Sequence, residues 1–177
     1  MRQTLVLGGA RSGKSLHAEG LLLGARVTYV ATARRDPADP EWEARIADHI
    51  ARRPRTWHTV EAHDVAALLT ATPPGDPPIL VDDLATWLTG VLDDTGGWEG
   101  SVEPARKECA RLVAAVEDCR VELVLVSAEV GLGVVPATRS GRLFRDELGA
   151  LNAALADRCT DVVLLVAGQP LRLKPGS

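Results

Sequence analysis

Eight residues near the start of the chain, Gly8-Gly9-Ala10-Arg11-Ser12-Gly13-Lys14-Ser15, carry the spacing of a turn built to hold phosphate. Gly8, Gly13, Lys14 and Ser15 fill every fixed position of G-x-x-x-x-G-K-S, the P-loop template. Glycines let successive backbone N–H groups point inward and form a concavity for phosphate oxygens. A helix starting near Lys14 adds its unpaired N–H groups and the positive end of its dipole. Lys14 can then reach the β- and γ-phosphates, and the Ser15 hydroxyl can complete a Mg2+ shell. The expected ligand is a nucleoside triphosphate. The loop by itself leaves open which reaction follows.

Two further features bear on that reaction. The stretch "PILVDDLATW" is an apolar strand ending in acid, the form of a carboxylate that faces Mg2+ across from a P-loop. Asp82 comes first after the apolar run and is the metal-facing candidate, while Asp83 suits the N-cap of the following helix. In "RIADHIARRPR", His49 follows Arg45 by four residues, on the same helix face. Imidazole is largely unprotonated near neutral pH, with an ordinary pKa of about 6.5. Held in line with an α-phosphate, His49 can displace pyrophosphate and carry a nucleotidyl group as a phosphoramidate. A surface histidine satisfies the same spacing, and a solvated helix face accounts equally for Arg45, Arg52, Arg53 and Arg55.

The elements that must position these residues are readable from periodicity. "TLVLGG", "RVTYVAT", "PILVDDL", "VELVLVSAEVG" and "DVVLLVAG" are short Val/Leu-rich runs of fully buried strands. Between them lie helical patterns: one after the P-loop, one in "DPEWEARIADHIARR", and others near 64–71, 84–93, 103–118 and 138–157. Asp39 is placed as an N-cap and Pro40 at N1, with Trp42, Ile46 and Ile50 on one face. The close, "VVLLVAGQPLRLK", predicts a terminal β-hairpin turning at Gly-Gln-Pro. Alternating strands and helices imply right-handed crossovers. The expected fold is α/β, a RecA-like P-loop NTPase: a mostly parallel sheet flanked by helices, one catalytic domain over 1–177. In such sheets ligands sit beyond the carboxyl ends of the strands. The candidate site residues therefore cluster after Gly8, at Thr32–Arg34, at Asp82–Asp83 and after Glu129.

Composition narrows the partners. A chain of 177 residues, 46% hydrophobic, has material for a full core. Net charge −4 and the lack of a long basic run argue against bulk nucleic-acid binding. No apolar run is long enough to span a bilayer. Strand pattern begins directly at the N-terminus without a signal-like h-region, so the expected location is cytoplasmic. Cys109, Cys119 and Cys159 are widely spaced and form no C-x-x-C pair, as expected of small buried residues in a reducing compartment. The guanine-reading N-K-x-D motif is missing, since Asn152 is the only asparagine. A small-molecule kinase or a nucleotidyl transferase remains, the monofunctional kinase being the alternative to a two-reaction enzyme.

Taken together, "GGARSGKS", "YVATA", "RIADHIARRPRTWHTVE", "ILVDDLATWL", "EVGLGVVPATRSGRLFRDELGALN" and "VAGQPLRLK" resemble the bifunctional adenosylcobinamide kinase/adenosylcobinamide-phosphate guanylyltransferase family of cobalamin synthesis. The resemblance runs nearly end to end with the motifs in family order. It implies phosphorylation of adenosylcobinamide by ATP or GTP, then transfer of GMP from GTP onto that phosphate through a guanylylated histidine, here His49. The nucleotide positions it implies are Gly8 to Ser15, then Thr32, Ala33 and Arg34. They continue with Ile50, Ala51, Arg52, Arg53, Glu61 and Asp82, with Ser15 and Asp82 on Mg2+. Glu61 has the chemistry to accept hydrogen bonds from a guanine edge. A homotrimer is likewise implied, with the corrinoid as substrate. The sequence departs from the family pattern at Asp83 (often cysteine), Ala128 and Gly90 (often asparagine) and Asp48 (a second histidine in some relatives). Trp57, Trp87 and Trp98 are each read as core or surface contacts rather than as corrinoid platforms.

Overall fold

The computed structural model describes residues 1–36 and 38–174; within 40–52, the side chains of Trp42, Arg45, Asp48, His49 and Arg52 lie outside the described set. In chain order the elements are β1 (Gln3–Gly8), α1 (Lys14–Leu21), β2 (Thr28–Ala31), α2 (Pro40–Arg52), β3 (His58–Glu61) and α3 (Val65–Ala71). Then come β4 (Ile79–Asp82), α4 (Leu84–Thr95), α5 (Glu103–Asp118), β5 (Leu123–Ala128), α6 (Arg139–Arg158), β6 (Asp161–Val166) and β7 (Gln169–Lys174). The strands form one sheet in the order β3-β2-β4-β5-β1-β6-β7. All neighbours run parallel except β6 and β7. The expected α/β fold with a mostly parallel sheet and terminal hairpin is therefore present.

Burial on both faces explains the apolar runs. Side chains alternate along a strand, so a parallel strand covered on two sides is apolar at every position. In β1, Leu5 and Leu7 pack with Leu88 of α4, Leu112 of α5 and Leu151 of α6. Val6 points the other way, into a cluster with Ala18 of α1, Tyr29 and Val126. Each fully buried leucine of these strands contributes about 2 kcal/mol by leaving water. Because β1 to β5 are parallel, their carboxyl ends open on one edge of the sheet, where the P-loop, Asp82 and the C-terminal half of α2 meet.

Two details differ from the sequence expectations. The strand β3 sits at the sheet edge beside β2, with His58, Thr59 and Glu61 exposed. Four residues without a buried apolar pattern give no period to read, so the expectation missed it. The hairpin turns at Ala167 and Gly168, both at positive φ (50° and 77°), ahead of the expected Gly-Gln-Pro. That pair is the pattern of a type I′ turn, and Pro170 is already in an edge strand, where a missing donor is tolerated.

Helix α3 supplies a stability prediction. The Asp64 side chain accepts from the Ala67 N–H at 2.9 Å, an N-cap, and also pairs with Arg111 at 2.9 Å. The capping N–H, and secondarily Arg111, hold its carboxyl below the usual range. Asp64→Ala should cost about 1 kcal/mol at neutral pH, read as a lower urea midpoint with unchanged slope. A depressed carboxylate stabilises above its unfolded pKa. The difference between variant and wild type should therefore shrink as pH falls through the folded-state value.

Candidate functional site

Residues 9–13 leave β1 and turn into α1 through two left-handed positions, Arg11 (φ 55°) and Gly13 (φ 88°). Gly13 is the N-cap of α1, where only glycine takes such a φ without strain. No side chain caps α1, and its first turn carries no acid. The first intrahelical bond runs from the His17 N–H to the Gly13 carbonyl at 2.9 Å, so the preceding N–H groups have no helical acceptor. The Ser12 hydroxyl is buried and has no hydrogen-bond partner among the described residues. Lys14 folds back across the loop, its ammonium donating to the Gly9 carbonyl at 3.5 Å. Behind the loop, the Gly168 N–H donates to the Ser12 carbonyl at 3.1 Å, so the β6–β7 turn buttresses it. An uncapped helix start, an orphaned hydroxyl and one cation are chemistry that suits an anion.

Asp82 ends β4 opposite this loop. Its Oδ1 accepts from the Ser15 hydroxyl at 3.1 Å and its Oδ2 from the Tyr29 hydroxyl at 2.5 Å. Asp83 instead caps the N-terminus of α4, accepting from the Thr86 N–H at 2.7 Å. Burial and the neighbouring Asp82 charge push its carboxyl above the usual value. Burial and Asp82 also push the Tyr29 phenol up, so it stays a donor at any working pH.

The loop and Asp82 form one wall of a cleft of about 550 Å³. Of the candidate residues, Arg11, Ser12, Gly13, Lys14, Ser15, Ala33, Ile50, Arg53, Glu61 and Asp82 line it. Gly8, Gly9, Ala10 and Ala51 stand outside the lining. The opposite wall includes Ile46, Ile50 and Arg53, spaced i, i+4, i+7 along α2 and the residue after it, so one stripe faces the cleft. His49 lies on that helix three residues after Ile46 and four before Arg53. The side chains of His49 and Arg52 fall outside the described residues.

Thr32 and Arg34 are not brought to this cleft. Strand alternation continues past β2, so Tyr29, Ala31, Ala33 and Arg35 face the cleft and Thr32 and Arg34 face away. The Thr32 hydroxyl donates to the Asp83 carbonyl at 2.7 Å. Arg34 makes two bonds to Asp94, at 2.8 and 2.5 Å, and one to the Gly90 carbonyl at 3.3 Å. A Cβ at Gly90 would come within 3.0 Å of that guanidinium, so the glycine leaves room for Arg34 against the backbone of α4. Tyr29, Arg35, Thr59 and Thr86 line the cleft without having been singled out from sequence. The period-2 pattern through 29, 31, 33 and 35 was the available signal for the first two.

Other motif residues shape the cleft's surroundings. Asn152 of α6 accepts from the Ser127 hydroxyl at 2.6 Å and donates to the Ala128 carbonyl at 3.0 Å. The Glu129 N–H in turn donates to the Gly8 carbonyl at 3.1 Å, tying the end of β5 to the start of the P-loop. Ala128 participates through its carbonyl, so its lack of a longer side chain leaves this link intact. Trp57 and Trp87 are buried, and Trp98 stacks on Phe144 at 6.3 Å. Their contacts match the core or surface reading.

Residues 4–173 match the family described as cobinamide kinase / cobinamide phosphate guanyltransferase. The chain belongs to this family. It is 43% identical to the bifunctional adenosylcobalamin biosynthesis protein CobP of Pseudomonas aeruginosa, covering 96% of each chain. It is 40% identical to the bifunctional adenosylcobalamin biosynthesis protein CobU of Salmonella typhimurium and 37% to that of Escherichia coli, covering 96% of this chain and 98% of each relative. Among solved structures, an ATPase from the type III secretion system of pathogenic bacteria superposes with a TM-score of 0.56 at 10% identity. EscN from enteropathogenic E. coli gives 0.54 at 10%. The aligned regions cover 93% and 94% of this family member but only 51% and 43% of those chains, so that likeness concerns the fold alone.

Proposed function

We propose that the cleft binds ATP or GTP and that this single catalytic domain carries out two reactions on one corrinoid. In the first, the aminopropanol hydroxyl oxygen of adenosylcobinamide attacks the γ-phosphorus. The bond to the β–γ bridging oxygen breaks, the nucleoside diphosphate leaves and the hydroxyl proton is lost. In the second, an imidazole nitrogen of His49 attacks the α-phosphorus of GTP and pyrophosphate leaves, forming a phosphoramidate. A phosphate oxygen of adenosylcobinamide phosphate then attacks the same phosphorus, giving adenosyl-GDP-cobinamide and restoring the imidazole.

The observation that carries this reading is the shared cleft. The uncapped P-loop and Asp82 form one wall, and the Ile46–Ile50–Arg53 stripe of the helix bearing His49 forms the other. Lys14, Arg35 and Arg53 supply positive charge along it, with Arg52 and Arg55 nearby in sequence. Thr59 and Glu61 line the β3 end, where Glu61 offers an acceptor to the N1–H and N2–H₂ edge of guanine. Ser15 and Asp82 bring hydroxyl and carboxylate oxygens together at 3.1 Å, a hard-oxygen pair suited to Mg2+. Bound there, Mg2+ would offset charge on the phosphates. No helix among the described residues is long and apolar enough to cross a membrane. A cytoplasmic location and a homotrimeric assembly complete the proposal, the trimer on family resemblance.

The covalent route exists because two phosphorus atoms must be attacked. A triphosphate fixed in one pose presents only one of them in line to a given acceptor, and a histidine carrier splits the second transfer into two in-line displacements. Two inversions give retention. GTP made chiral at the α-phosphorus with sulfur should yield product of retained configuration; inversion would rule out the histidine intermediate.

A further inference from the structure

Tyr29 stands in the middle of β2 and is almost wholly buried, yet its side chain meets groups from three other parts of the fold, two of which line the cleft. Its hydroxyl donates to Asp82 Oδ2 at 2.5 Å, while Asp82 Oδ1 takes the Ser15 hydroxyl at 3.1 Å. Each carboxylate oxygen thus holds one hydroxyl, which fixes the rotation of the group. The Arg53 guanidinium lies over the face of the same ring, 3.6 Å from its centroid. Its Nη1 donates to Thr59 Oγ1 at 3.2 Å, and its buried Nε has no hydrogen-bond partner among the described residues. Trp57, four residues further on, packs 6.1 Å from the ring and brings the α2–β3 turn onto it.

We propose that Tyr29 is a positioning residue for the phosphate-binding floor. Its hydroxyl orients the Asp82 carboxylate and its ring face orients the Arg53 guanidinium, so one side chain sets two opposite charges that border the same cleft. A guanidinium on a flexible stem gives up less order on binding when an aromatic face has already placed it. A hydroxyl in a nearly closed site needs an acceptor, and a charged acceptor makes the stronger bond. If the ring served packing alone, phenylalanine would do as well. The proposal rests on the reading of the cleft as a Mg2+–nucleotide site.

Two variants separate the two contacts. Tyr29→Phe keeps the platform and removes the bond to Asp82, whereas Tyr29→Leu removes both. GTP affinity measured by calorimetry should fall about tenfold for Tyr29→Phe in Mg2+ and stay within about twofold of wild type in EDTA. Tyr29→Leu should also lose about fivefold in EDTA, and Tyr29→Leu with Arg53→Ala should then be no weaker than Arg53→Ala alone. Wild-type affinity for Tyr29→Phe in Mg2+, or an equal loss with and without Mg2+, would overturn the proposal, the second outcome marking a merely structural role. Additive losses at Tyr29 and Arg53 would do the same for the platform. A wild-type protein that binds no GTP would overturn the nucleotide reading and this one together. Unchanged Tyr29→Phe binding beside normal wild-type binding would overturn only the latter. Should Tyr29→Leu fail to fold, Tyr29→Phe still decides the Asp82 contact.

Discussion

His49→Ala should lose GMP transfer by at least about 10³-fold while kinase turnover stays within about fivefold of wild type. The asymmetry follows from the chemistry assigned to each step. GMP transfer needs a nitrogen that forms and then breaks a bond to phosphorus; alanine offers none, and water does not replace a nucleophile that must also hand the group on. Phosphorylation of the corrinoid hydroxyl takes place at the other end of the triphosphate and uses the P-loop, not the imidazole. His49 belongs to α2, whose Ile46, Ile50 and neighbouring Arg53 border the cleft, so the variant leaves that wall's contacts in place. Product analysis by chromatography reads the two steps separately: the variant should accumulate adenosylcobinamide phosphate and make no adenosyl-GDP-cobinamide. Equal loss of both activities would make the histidine a structural residue.

Lys14→Ala should instead lower both activities, each by about 10²–10³-fold, with weaker binding of ATP and GTP alike. Among the described residues Lys14 makes one long bond, to the Gly9 carbonyl across the loop. The fold therefore does not depend on it, and the thermal midpoint should hardly move. What is lost is the cation that follows charge toward the leaving oxygens. Because one loop serves both reactions, the substitution cannot spare either. Retained activity in both would remove the P-loop from the mechanism.

These expectations trace back unevenly to the sequence. The parallel sheet was legible because strands such as β1 and β5, covered on both faces, must be apolar throughout, and such runs alternate visibly with helical periods. The P-loop was legible because its glycines and its lysine answer to backbone geometry and phosphate charge rather than to tertiary context. Strand β3 was not legible: four edge residues, three of them exposed, owe their pairing to β2, which no local pattern announces. The side-chain partition at the end of β2 was half legible. Resemblance names Thr32, Ala33 and Arg34 together, but extended backbone sends only alternate residues to one side, so Ala33 faces the cleft and Arg34 binds Asp94. Tyr29 was hidden for another reason. As a buried aromatic in an apolar strand it reads as core, and its contacts with Asp82 and Arg53 join residues 53 and 24 positions away in the chain.

The most direct test of the two-step guanylyl transfer uses GTP labelled at the α-phosphorus and no corrinoid. After incubation, denaturation and digestion, wild-type protein should retain label on the peptide containing His49, in a linkage that acid breaks and alkali does not. Protein that carries no label, or label on a peptide without His49, would contradict it.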